Sequence, residues 1–208
     1  NPQGKVAERI AGMPFLNYAP KAYPVTLWDI HGQSGHPLRT TLSEMGPLLL
    51  GSLLELTDSQ QSTLYAAFKV ADREGLLLLD LKDLKALLNH LKFHPELLGD
   101  DAALMTTGSS QALLRRLAVL EQQGAEALFG EPALQLEDIL QPASDGRGRI
   151  HLLDASRLVH ESPKVYATFL LWLLAELFEQ LPERGDADKP LLVLFFDEAH
   201  LLFADTPK

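Results

Sequence analysis

Apolar residues recur at helical spacing through the middle of the chain and gather into short continuous runs toward its ends. Leu64, Ala67, Phe68 and Ala71 fall three and four residues apart, the spacing of one face of an α-helix. Leu81, Leu84, Leu87, Leu88 and Leu91 repeat that period. After the polar break Thr106-Thr107-Gly108-Ser109-Ser110, Leu113, Leu114, Leu117 and Leu120 repeat it again. Thr57-Asp58-Ser59-Gln60 has the form of a capping box, in which the hydroxyl covers one orphan N–H and Gln60 reaches back to another. Gly75 stands where that helix should stop. From Ser43 to about Leu140 the pattern predicts a helical subdomain.

The flanking segments read differently. Val6 to Ala11 predicts a short helix closed by Gly12. Val25 to Ile30 alternates like a strand, Gly32-Gln33-Ser34-Gly35 is turn chemistry, and Pro37 to Leu42 is expected to return as the partner strand of a β-hairpin. Beyond the flexible turn Asp145-Gly146-Arg147-Gly148, the run Arg149 to Asp154 predicts another strand. Pro163 then opens a helix through Tyr166, Phe169, Leu170, Leu173, Leu174, Leu177 and Phe178, ending near Leu181-Pro182. A linker from Glu183 to Pro190 leads to the apolar run Leu191 to Phe196, expected to be a buried strand. Strand, helix, strand predicts a right-handed βαβ unit with parallel strands. The expected fold class is α/β, with an arm and hairpin over 1–43, a helical insertion over 44–144 and the βαβ part over 145–208.

Composition narrows the function classes. The 208 residues suffice for a sizeable core, and 46% hydrophobic with 22% charged residues is a globular balance. No apolar run approaches the length of a membrane span, so no membrane association is expected. The first residues lack the basic-then-apolar pattern of a signal peptide, and with no initiator Met the natural start is expected upstream. The absence of cysteine rules out disulfides and thiolate metal sites, and agrees with a reducing cytoplasm. A formal net charge of −10 argues against a broad basic surface for nucleic-acid backbones.

The sharpest chemistry follows the last apolar run. Six apolar residues deliver Asp197-Glu198-Ala199-His200 to a strand end, and two adjacent carboxylates there need a cationic partner. Nucleotide-bound magnesium is such a partner, which makes the string look like a Walker B motif. One carboxylate would hold the metal through its water shell and the next would orient the attacking water. The plainer alternative is an acidic helix start, with both side chains capping or complementing a helix dipole in a non-catalytic interaction module.

Phe195-Phe196-Asp197-Glu198-Ala199-His200-Leu201-Leu202-Phe203, preceded by Tyr166-Ala167-Thr168-Phe169-Leu170-Leu171-Trp172-Leu173-Leu174, resembles the bacterial HerA-like helicase/ATPase family. Val25 to Asp29 and Leu77 to Leu84 are similar to the same family, so the resemblance covers nearly the whole chain. It implies a RecA-like P-loop ATPase core, ATP and Mg2+ as cofactors, a hexameric ring, and movement of DNA in characterised relatives. Asp197 inherits the magnesium role and Glu198 that of catalytic base; His200 has no assigned role. No Gly-x-x-x-x-Gly-Lys-Ser/Thr occurs in the sequence, and Gly4-Lys5 is followed by Val6. The family's phosphate loop is therefore expected before Asn1, its later strands and arginine finger after Lys208, and little ATP binding or turnover from this piece alone. A DEAH-box helicase of two tandem motor domains shares the Asp-Glu-Ala-His string but gives no account of the helical segment.

Other candidates carry plainer readings. His90 and His94 have the spacing of two metal ligands on a helix, but no Glu follows His90, and Pro95 predicts fraying; surface histidines are expected. Arg115-Arg116 is expected as a solvated pair rather than a trans-acting finger. Arg157 lies just past a strand end, and Arg147-Gly148-Arg149 forms a small basic turn.

Overall fold

The structure, a computed structural model, describes residues 3–14, 21–181, 183, 185, 188–197 and 199. Three strands, β1 (Val25–Asp29), β2 (His36–Pro37) and β3 (Ile150–Asp154), form one sheet in the order β2-β1-β3. Both pairings are parallel, with Trp28 opposite His36 in one and Val25 to Asp29 opposite Ile150 to Asp154 in the other. The eight α-helices among the described residues are α1 (Lys5–Ala11), α2 (Leu42–Leu53), α3 (Asp58–Glu74), α4 (Leu81–Phe93), α5 (Thr107–Gln122), α6 (Leu136–Leu140), α7 (Ser156–Glu161) and α8 (Pro163–Gln180). The class is mixed helix and strand, compatible with α/β.

Helices α1, α3, α4, α5 and α8 form where the sequence pattern places them. Thr57 N–H donates to Gln60 Oε1 at 3.2 Å at the start of α3, and Gly75 closes that helix in the left-handed region (φ 67). A second capping box opens α2, where Thr41 Oγ1 accepts from the Glu44 N–H and Glu44 Oε2 from the Thr41 N–H. Asp80 caps α4 by accepting from the N–H groups of Lys82 and Asp83. Helix α3 packs against α2, α4 and α5, and α8 against α2 and α7. Their facing residues, among them Leu64, Leu84, Leu88, Leu113, Leu117 and Phe169, are fully buried. They belong to one continuous core that runs from Ile30 to Trp172.

Two expectations are corrected. The segment after β1 is not a hairpin: β2 runs parallel to β1 and is two residues long. The cause lies in the loop, where the Asp29 carboxylate gathers the N–H groups of His31, Gln33 and Ser34 and curls the chain over the strand end. Gly35 then crosses so close to β1 that a Cβ there would stand 2.5 Å from the Leu27 carbonyl oxygen. Beyond β2, Thr40 makes only an isolated parallel bridge to Phe129, and Leu42 already begins α2.

The run Leu191 to Phe196 is not a buried strand. No ladder includes it among the described residues, Val193 is 57% exposed and Phe195 92%. Phe196 alone packs partly against the core. A strand exists only through its partner, and among the described residues β3 pairs with β1 alone, so the expected βαβ unit stops there after its helix. The helices α2 to α6 lie between two neighbouring parallel strands, the chain leaving β1 at Asp29 and returning as β3 at Ile150.

Candidate functional site at the carboxyl edge of the sheet

Parallel in-register pairing brings the carboxyl ends of β1 and β3 side by side, with Asp29 directly opposite Asp154. Ligands of open parallel sheets bind at this edge, because the loops that leave it are free to vary. Asp29 is buried, and its oxygens accept three backbone hydrogen bonds: Oδ1 from His31 at 2.9 Å and Oδ2 from Gln33 and Ser34 at 2.8 Å each. Burial pushes the Asp29 carboxyl up, but the N–H groups of Ser34, His31 and Gln33, helped by the His31 side chain, outweigh it and hold the carboxyl below the usual range. Asp154 is exposed and accepts from the Ser156 hydroxyl and from the Ser156 N–H at 3.0 Å. Those bonds lower its pKa against the opposing effects of burial and of the Asp29 charge. The edge is therefore anionic at neutral pH, with both carboxylates already committed to shaping loops.

Asp197 is exposed and follows the unpaired apolar run. Glu198 and His200 lie outside the described residues. Among the described residues no group of three or more His, Asp or Glu side chains is placed to hold a metal ion. Asp29 spends both oxygens on backbone donors and could not ligate a metal without unmaking its loop, whereas Asp154 accepts through Oδ1 alone. Asp197 fits a single-donor role, of the kind in which magnesium keeps most of its water and takes its other ligands from substrate phosphates.

The remaining sequence candidates resolve into structural work. The His90 and His94 rings stack with centroids 4.3 Å apart, and His94 Nδ1 sits 3.0 Å from Glu96 Oε1, an arrangement of surface histidines rather than of converging ligands. Arg116 donates from Nη1 to the Leu54 carbonyl at 2.5 Å, at the end of α2. Arg157 pairs with Glu161 one turn along α7 at 2.9 Å. Arg147 pairs with Asp145 at 2.7 Å and also reaches the Ala22 carbonyl. In the sequence Asp154 ends one strand-like run and Asp29 lies within another that extends to Ile30. Their juxtaposition is not legible there, because it depends on a pairing across more than a hundred residues.

No curated protein and no solved structure matches this chain. A family model described as helicase HerA-like C-terminal matches residues 1–208, its full length. On that match, the chain belongs to the helicase HerA-like C-terminal family.

Proposed function

We propose that the chain is part of a HerA-like ATPase, a P-loop core of RecA type that hydrolyses ATP with Mg2+ and drives the movement of DNA or the remodelling of a partner. The observation that carries this reading is the family match along all 208 residues, which includes Asp197-Glu198 after six apolar residues. Bound magnesium would neutralise charge on the ATP phosphates. Asp197 would hold that ion through water, and Glu198 would orient the attacking water and take its proton. The exposed apolar side chains of Leu191, Val193, Leu194 and Phe195 and the one-sided pairing of β3 are what a larger sheet would cover. The helices over 44–144 are read as an insertion into that core, and the working form as a cytoplasmic homo-oligomer, hexameric by family resemblance. DNA remains the less supported cargo, given the net charge of −10.

The test is ATP turnover by the complete protein, with and without DNA. Glu198→Gln should lower kcat by about 100-fold or more, the usual worth of a positioned base, while ATP binding persists. Retained hydrolysis in that variant removes Glu198 from the mechanism.

A further inference from the structure

On the sheet face opposite Asp29 and Asp154, an open cleft of about 400 Å³ lies between the strands, the strap 132–134 and α6. We propose that this cleft binds a small zwitterion, a free α-amino acid carrying an apolar or aromatic side chain. Two charged groups line it, Arg149 and Asp138. Of the two arginines in the turn before β3, Arg147 is taken up by Asp145, whereas among the described residues Arg149 reaches only the Thr26 hydroxyl, at 3.5 Å. Asp138 has no cationic partner among the described residues, and it does not pair with Arg149 across the cleft. One cavity thus presents an unneutralised guanidinium and an unneutralised carboxylate.

The same lining includes the apolar Trp28, Pro37 and Leu134 beside the polar Thr26, His36 and Gln141. It is also built in advance of any ligand. Trp28 Nε1–H donates to His151 Nδ1 at 2.9 Å, which fixes the indole. Arg39 donates to the Glu131 carbonyl and accepts from the Leu134 N–H, both at 2.8 Å, which pins the strap. The volume lies within the range of small-molecule sites. A ligand carrying one charge engages only one of these groups, whereas an amino acid offers a carboxylate to Arg149 and an ammonium to Asp138. Both side chains are exposed, so each pair contributes only a few-fold to affinity, and the apolar side chains of the lining supply the rest.

The chain's two tryptophans make the test internal, since Trp28 lines the cleft and Trp172 is buried elsewhere in the core. Titration of the full chain with L-phenylalanine, followed by the indole N–H resonances, should shift Trp28 saturably and leave Trp172 in place. Phenethylamine and 3-phenylpropionate, each lacking one charge, should bind about threefold more weakly or worse. Arg149→Gln should erase the preference for phenylalanine over phenethylamine, and Asp138→Asn the preference over 3-phenylpropionate. An unmoved Trp172 resonance reports that each variant is folded. No saturable Trp28 shift up to about 10 mM ligand, or equal binding of the three compounds, overturns the proposal.

Discussion

Asp29 accepts three backbone N–H groups that its own loop presents to it. Removing a buried charged acceptor from several donors costs more than the net worth of one neutral hydrogen bond. Asp29→Ala should therefore lower stability by about 3 kcal/mol at pH 7, and Asp29→Asn by less, because one acceptor oxygen remains. The pH dependence has a definite sign. The folded carboxyl titrates below its unfolded value, so its extra stabilisation is fully present above the ordinary aspartate range and is lost as pH falls through the folded pKa. Urea unfolding of wild type and Asp29→Asn should show a gap in stability that narrows between pH 7 and about pH 3. A gap of constant size would mean that the charge contributes nothing. At this scale the sequence was legible for residues acting locally, such as Thr57 and Gln60 at a helix start. It was silent on Asp29, whose role depends on a loop that folds back over its own strand.

Helices were the most legible elements, because their period and caps are written within a few residues. Gly75, Asp80 and the Thr41–Glu44 box stop or start helices by local hydrogen bonding alone. Strand direction was not legible: β1 and β3 pair across the intervening helices, and the Asp29 loop overrode a hairpin reading of Gly32 to Gly35. The run Leu191 to Phe196 teaches the same lesson, since an apolar run states a demand for burial without naming what supplies it. The end of α2 offers a test of element-level packing. Arg116, on α5, donates to the carbonyl of Leu54, while Glu55 sits at φ 52 and pairs with Lys164 of α8 at 2.6 Å. Arg116→Ala strips a charged donor from a helix-end carbonyl and should cost about 1–2 kcal/mol in chemical denaturation. Glu55→Gly should change stability by less than about 1 kcal/mol, because relief of the left-handed backbone offsets the loss of a highly exposed ion pair. The reverse ranking would assign the junction's strength to the ion pair.

Across the whole molecule, apolar surface is distributed unevenly. One sheet face packs through Trp28 and Leu153 against the core, while Val25, Leu27, Ile150 and Leu152 on the other face are each about half exposed. Phe178, 90% exposed on the outer side of α8, and the unpaired Leu191 to Phe195 add further apolar surface. No described helix is long and apolar enough to cross a membrane, so a bilayer-spanning helix does not account for these surfaces. Contiguous exposed apolar faces are association surfaces, whether for other parts of a core or for another chain. The chain by itself should therefore associate as its concentration rises. Because the contact is apolar, added sulfate should strengthen rather than weaken it. Replacing Val25, Leu27, Ile150 and Leu152 together by Thr puts β-branched strand formers at all four positions while wetting the face. Sedimentation velocity should then show a shift toward monomer, with a thermal transition changed by only a few degrees, since these side chains contribute little to the core. Association that persists unchanged in the fourfold variant would move the sticky surface to Phe178 or to Leu191–Phe195, which Phe178→Ser and Phe195→Ser would then separate.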